Sequence, residues 1–357
     1  MENRNSPEYI QTSLAAAISL GFEAGSFKEP VKLTGLNLLL IYDKGCIGKC
    51  AYCGISVSGH NAASKTGAGN GQVKDKKTFI RVRWPVYKLD DVLEALRARQ
   101  DDFKRVCISM ITHGSAIKDT VFITEKIRST CKLPVSLLIT PTLINSPSVL
   151  KQFKDSGAEM IGVAIDAATE ELFEKYRGAG VRGPHCWEKY WKVLEWSVEA
   201  FGRYMAGIHL MAGLGETERE AVETIYRAHL IGAKTHLFSF YPEPGSKLED
   251  LERPELFSYR KVQIARYLIN EKNLDISRII FNGSGEIVSF DYDTGSVIDE
   301  GYAFMTSGCQ CSDNPLVSAC NRPFANERPS EIFRNYPYMP TQKDKEIIKN
   351  QVLSITR

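Results

Sequence analysis

The chain has 357 residues, of which 43% are hydrophobic and 25% charged, with a formal net charge of +2. Such a composition is ordinary for a globular protein and makes no general case for nucleic acid or an anionic membrane as a partner. It contains no apolar run of roughly eighteen residues that would cross a bilayer, and polar Met1–Pro7 has no basic-then-apolar leader, so a cytoplasmic location is expected.

From Leu36 to about Leu274, short apolar runs alternate with amphipathic stretches. The runs are Leu36–Tyr42, Val106–Ile111, Val135–Ile139, Met160–Ile165, Ile208–Ala212 and Thr235–Tyr241. Each has the length and near-continuous apolarity of a parallel strand covered on both faces. Ser146-Pro147 opens a helix that Gly157 stops, Thr169 caps Glu170–Tyr176, and Thr217 with Glu220 forms a capping box for a helix ending before Gly232. Six strands alternating with helices predict an α/β fold, a partial (β/α)6 TIM-like barrel with chemistry at the C-terminal ends of its strands. The expected division is 1–35 as an N-terminal extension, 36–280 as the barrel and 281–357 as a C-terminal region. Gly54–Gln72, rich in Gly, Ser, Ala and Asn, reads either as a lid or docking loop or as a disordered insertion.

Six of the nine cysteines fall in two groups, Cys46/Cys50/Cys53 and Cys309/Cys311/Cys320. In a reducing compartment such groups point to metal rather than to disulfides. Cys107, Cys131 and Cys186 are isolated and read as small buried hydrophobes. The first group follows the first apolar run, where barrel chemistry belongs. Three local thiolates leave one iron corner of a cubane without a local protein ligand, and an open corner admits a small molecule. Zinc, or a structural cluster completed by a distant ligand, is the alternative.

The spacing Cys46-x3-Cys50-x2-Cys53, with Tyr52 before the last cysteine and placed after the first strand, resembles the radical S-adenosylmethionine (SAM) superfamily. The resemblance covers about residues 36–275. It implies a [4Fe–4S] cluster whose open iron holds SAM, one-electron cleavage of SAM, and hydrogen abstraction from an unactivated carbon. It also implies a cofactor-binding set. Tyr52 would lie against the adenine, and His113, Gly114 and Ser115 occupy the position of a glycine-rich motif, although Gly-Gly-Glu itself is absent. Asp166 would meet the ribose and Arg177 the methionine carboxylate, while Met211 and Gly213 lie in a turn close to the adenine. The bland readings are a helix cap for Asp166, a surface charge for Arg177, a wall residue for His113 and a plain turn former for Gly213. No residue is assigned a catalytic role.

The second group, Cys309-x-Cys311-x8-Cys320, suits a second, auxiliary iron–sulfur cluster, with structural zinc as the alternative. Three cysteines leave a corner for an oxygen ligand, a substrate or a partner, and Ser307, Ser312 and Ser318 are nearby hydroxyls. The tail, with Cys320-Asn321-Arg322-Pro323-Phe324 and Glu327-Arg328-Pro329, resembles the archaeal-type lipoyl synthases, in which two radical proteins divide one task. That implies sulfur insertion at C6 or C8 of an octanoyl chain on a lipoyl carrier domain or peptide, with sulfur drawn from the auxiliary cluster. It also implies a sister radical SAM protein and a ferredoxin or flavodoxin donor. A biotin synthase arrangement, with the second cluster held from inside the barrel, is disfavoured because the isolated cysteines would not supply its ligands. The competing functions are a radical SAM enzyme using the tail cluster for electron transfer in peptide or small-molecule modification, and a non-catalytic iron–sulfur maturation scaffold.

Overall fold

Every one of the six apolar runs becomes a strand, and the reason is local. Each is short, flanked by turn residues, and rich in aliphatic or, for Thr235–Tyr241, aromatic side chains, so the chain buries both faces only by pairing side to side. The computed structural model describes residues 4–56, 78–325 and 327–352. Most of Gly54–Gln72 therefore lies outside the described residues.

The N-terminal extension forms β1 (Tyr9–Thr12) and α1 (Leu14–Leu20), the helix capped by Ser13, whose hydroxyl accepts the Ala16 amide at 3.2 Å. The barrel then runs β2 (Gly35–Leu39), β3 (Val86–Lys88), α2 (Leu89–Arg99), β4 (Arg105–Ser109), α3 (Ala116–Thr130), β5 (Val135–Ile139) and α4 (Pro147–Asp155). It continues β6 (Ala158–Asp166), α5 (Glu170–Tyr176), α6 (Trp187–Phe201), β7 (Ala206–Ala212), α7 (Glu218–Ile231), β8 (Lys234–Ser239) and α8 (Leu256–Lys272). A hairpin of β9 (Ile279–Phe281) and β10 (Ile287–Phe290), then α9 (Thr294–Glu300) and α10 (Gln342–Val352), completes the chain.

The sheet order is β3-β1-β2-β4-β5-β6-β7-β8. Strands β2, β4, β5, β6, β7 and β8 are parallel, while β1 is antiparallel to both neighbours. The result is an α/β partial barrel whose sheet stays open between β3 and β8. Sequence patterning did not reveal β1 and β3, which are too short for a periodic signal; β1, paired with β2 and β3, places the extension in the barrel's own sheet.

Of the three helix starts expected from sequence, two have their caps. Thr217 and Glu220 form the reciprocal capping box of α7, and Thr169 accepts the Leu172 amide at 3.2 Å. Ser146 stands at the start of α4 but bonds Ser148 Oγ at 2.6 Å instead of the helix backbone.

The tail spans from β8 to the start of β2. Ser307 Oγ accepts the Leu237 amide at 2.7 Å, satisfying part of the free edge of β8. At the other end Asn321 Oδ1 accepts the Thr34 amide at 3.1 Å, and Thr34 Oγ1 donates to Ala319 O at 2.8 Å. Fully buried Arg260 on α8 donates to Arg334 O at 2.6 Å and to Phe333 O, anchoring the later tail. No helix among the described residues is long and apolar enough to cross a membrane.

Candidate functional site

The first cysteine loop leaves β2 and folds over the C-terminal ends of the strands. Cys46 pairs with Ser56 in an isolated bridge, the Ile47 amide donates to Thr112 O at 3.0 Å, and the Ala51 amide donates to Tyr176 O at 2.8 Å. These bonds tie the loop to the segments after β4 and α5. Cys46, Cys50 and Cys53 all line one cavity of ≈ 220 Å³ at the barrel mouth. The Thr112 amide donates to Cys46 Sγ at 3.3 Å. Burial pushes the Cys50 thiol up, partly opposed by the Arg177 cation, and burial pushes Cys53 up further. A thiolate here therefore needs a positive partner supplied from outside the protein, which is what metal coordination provides.

Three of the expected cofactor-binding residues converge. Asp166 ends β6 with φ 65°, a left-handed conformation that aims its carboxylate at the cavity. Its Oδ2 accepts Tyr52 Oη at 2.7 Å and Arg177 Nη1 at 2.7 Å. Burial keeps the Tyr52 phenol protonated by raising it well above its ordinary range. Arg177 is no surface charge: it is buried and lines the cavity, with Nη1 also on Ala164 O and on Ile165 O at 3.1 Å and Nη2 on Tyr190 Oη at 3.2 Å. Met211 lines the cavity too.

Gly213 does not line it. It forms the turn after β7, its amide donating to Glu216 Oε1 at 2.6 Å. Nor do His113, Gly114 and Ser115, whose place in the wall is taken by Thr112. The His113 ring stacks on Tyr42 at 3.7 Å between centroids, and Gly114 and Ser115 are exposed because α3 begins outside the barrel axis.

Sequence reasoning missed His185, which lines the cavity and bonds Thr142 Oγ1 at 2.6 Å and Tyr190 Oη at 2.8 Å. Burial, then the Arg177 cation, lowers it to about 2, so it stays neutral. Arg81, Glu243, Arg322, Glu327 and Asn335 line the cavity as well; Arg322 and Glu327 belong to the tail stretches Cys320–Phe324 and Glu327–Pro329, but only folding brings the five together there.

At the opposite, N-terminal end of the strands lie the tail cysteines. Cys309, Cys311 and Cys320 are buried. The Ala319 amide donates to Cys309 O at 2.8 Å, holding the two arms of the tail together. Asn37 Nδ2 of β2 donates to Cys320 Sγ at 2.9 Å. Cys107, expected to be a small buried hydrophobe, is buried, and it lies beside Asn37 in the register of β2 and β4, on the layer that Cys320 meets. Cys107 and the Arg322 cation hold the Cys320 thiol below its ordinary range. Arg322 itself lies 4.4 Å from the Phe238 ring and lines the mouth cavity, so it separates the two cysteine groups.

A family model described as Radical SAM superfamily matches residues 40–228, more than half of the chain. The chain belongs to the radical SAM superfamily. No curated protein matches it by sequence. Among solved structures it is similar to a methylornithine synthase (PylB), at 11% identity and TM-score 0.46, over 72% of this chain and 66% of that one. It is also similar to the FeFe-hydrogenase maturase HydG from Carboxydothermus hydrogenoformans, at 13% identity and TM-score 0.47, over 71% of this chain and 59% of that one. The coproporphyrinogen III oxidase HemN from Escherichia coli matches at 15% identity and TM-score 0.37, over 60% of this chain and 52% of that one. The chain thus spans less than two thirds of the length of these proteins.

Membership in the radical SAM superfamily implies a [4Fe–4S] cluster and SAM, and the mouth residues fit them. Three thiols face one cavity, and the loop around them is cut close: a Cβ on Gly48 would lie 3.2 Å from Cys46 Sγ and 3.0 Å from His185 Nε2. Among the described residues no three His, Cys, Asp or Glu side chains converge tightly enough to share one ion. Cys46, Cys50 and Cys53 would hold the cluster, with Tyr52, Asp166, Arg177 and Met211 around SAM.

Proposed function

We propose that this radical SAM enzyme inserts sulfur into an unactivated C–H of an octanoyl chain held on a lipoyl carrier domain or peptide. It would act as one of two proteins that build the lipoyl group. The observation that carries this reading is the stacking of two cysteine groups along one barrel, with the mouth cavity between them. Its wall includes Leu39, Leu138, Ala164, Met211 and Phe238, and an apolar wall suits an alkyl chain better than a polar metabolite.

When bound, the first cluster with SAM supplies a carbon-centred radical, and the second cluster supplies sulfur for the new carbon–sulfur bond. The protein's own part is positional. Tyr52, Asp166 and Arg177 form a rigid hydrogen-bonded wall that orients a ligand at the mouth. The loop pinned by Tyr176 and Thr112 excludes water there. Arg322, at the cavity floor, stands between an entering chain and Cys320. A ferredoxin or flavodoxin would donate electrons, and a sister radical SAM protein would handle the other carbon.

The test is anaerobic incubation of the reduced, reconstituted chain with SAM and an octanoylated carrier peptide, read by mass. The expected result is a gain of one sulfur, with loss of acid-labile sulfide from the enzyme. Product that accumulates while all sulfide stays intact would rule out sulfur donation and favour electron transfer. Failure to form 5′-deoxyadenosine would rule out the radical reading and leave a scaffold role.

A further inference from the structure

Resting on the reading that the tail holds a second cluster, we propose that Cys107 is its fourth protein ligand. The site is then a four-cysteine one, Cys107, Cys309, Cys311 and Cys320, seated within the N-terminal half of the barrel.

The argument begins with the strands. Cys107 on β4 is in register with Asn37 on β2 and Ser136 on β5. Of these, Asn37 donates to Cys320 Sγ at 2.9 Å, and Cys107 stands beside Asn37 in register on the next parallel strand, so it faces the same tail residue. The barrel layer that carries Cys107 is thus the layer the tail packs against. The fit is close: a Cβ on Gly35 would lie 2.6 Å from Ala319 O and 2.8 Å from Cys320 Cα. The tail cysteines can approach Cys107 only because residue 35 has no side chain.

The hydroxyls that might otherwise complete the set are engaged or turned away. Ser307 Oγ is held by the Leu237 backbone, with bonds of 2.7 and 3.3 Å. Ser318 Oγ accepts the Cys320 amide at 3.1 Å, and Ser312 is exposed. Cys131 lies at the outer end of α3, and Cys186 is exposed at the start of α6.

An independent observation is electrostatic. Arg105, on the same strand as Cys107, is only 4% exposed, and its Nε has no hydrogen-bond partner among the described residues. Its Nη1 reaches Ser136 Oγ at 3.2 Å and lies 3.6 Å from the half-exposed Glu159 carboxylate, which leaves Nε as the donor still to be met. Arg105 acts on both Cys309 and Cys311, and Arg322 acts on Cys309 and Cys320. A cluster with four thiolates is an anion, and a buried guanidinium with an unused donor is suited to receive it. Ligation by four cysteines closes the cubane corner that the tail triplet alone leaves open.

The test uses the full chain with Cys46→Ala, Cys50→Ala and Cys53→Ala, so that bound iron reports the second site alone. After anaerobic reconstitution this parent should bind about four irons and as many sulfides per chain. Adding Cys107→Ala should lower the iron at least twofold or leave a three-iron signal by electron paramagnetic resonance, whereas adding Cys131→Ala should change neither. Cys107→Ser, which nearly preserves volume and so guards against misfolding, should shift the g-values of the reduced cluster. Unchanged iron and g-values in both Cys107 variants would overturn the inference and leave the second cluster standing. A parent that binds no iron would overturn the second-cluster reading itself, and this inference with it.

Discussion

Arg177 is the residue whose position departs furthest from its appearance in sequence. In the chain it follows a helix rich in Glu and Lys, where a solvated cation is the ordinary outcome. In the fold, the end of α5 turns it inward onto Asp166 and the carbonyls of β6. Removing one member of a buried ion pair leaves the other charge uncompensated. Arg177→Gln should therefore lower unfolding free energy by about 3 kcal/mol and weaken SAM binding, checked by denaturant titration and by equilibrium binding under anaerobic conditions. Arg177→Lys should rescue little, because an ammonium cannot reproduce the guanidinium's contacts to Asp166 and Tyr190 together. A loss below about 1 kcal/mol would mean that water screens the pair. By contrast, Cys46, Cys50 and Cys53 were legible because their spacing is local: three thiols within one turn-rich loop meet whatever the rest of the chain does.

At the scale of elements, the six parallel strands were readable from apolar runs, and the capping box of α7 from four residues. The tail was not readable as a barrel component. Its residues lack period, and it is held by single hydrogen bonds to strands some seventy to nearly three hundred positions away. The contact most sensitive to change is at the start of β2. Gly35→Ala would place a methyl group 2.6 Å from Ala319 O, a separation no packed carbon tolerates, so the tail must move away from β2. Under the proposed second cluster, the expected outcome is loss of iron from the tail while the mouth site keeps its own. Iron and sulfide analysis in the full chain and in the background of Ala at Cys46, Cys50 and Cys53 would check it. Loss from both sites would mean that the sheet itself had failed.

For the whole molecule, burial of histidines sets a pH dependence. Burial and the Arg177 cation lower His185 to about 2, while burial and the cations Arg322, Arg266 and Lys234 lower His236 to about 3. Each group has an ordinary value of 6.5. Below that pH the unfolded chain takes up protons that the folded chain refuses, so this part of the stability is full above 6.5 and declines as pH falls. The limiting slope is about 1.4 kcal/mol per pH unit for each histidine. Burial lowers His209 and His229 as well, so they add to the same decline. Urea unfolding of the chain between pH 7 and 5 should show it, and His236→Gln should remove one histidine's share, at most about 1.4 kcal/mol per pH unit. An unchanged slope would mean that His236 is solvated in the folded state.

The sequence by itself determined what depends on near neighbours: the six parallel strands, the caps of α5 and α7, and the three-thiol loop that marks a radical SAM enzyme. Only the tertiary structure decided what depends on distant ones. It turned Arg177 inward, left His113 and Ser115 outside the cavity, and laid the tail against the barrel so that Cys107 faces Cys320. The physical reason is that a strand's inward face is shared with whatever the fold brings to it. Cys107 has no second thiol in its own neighbourhood and faces one only when residues more than two hundred positions later pack onto its layer.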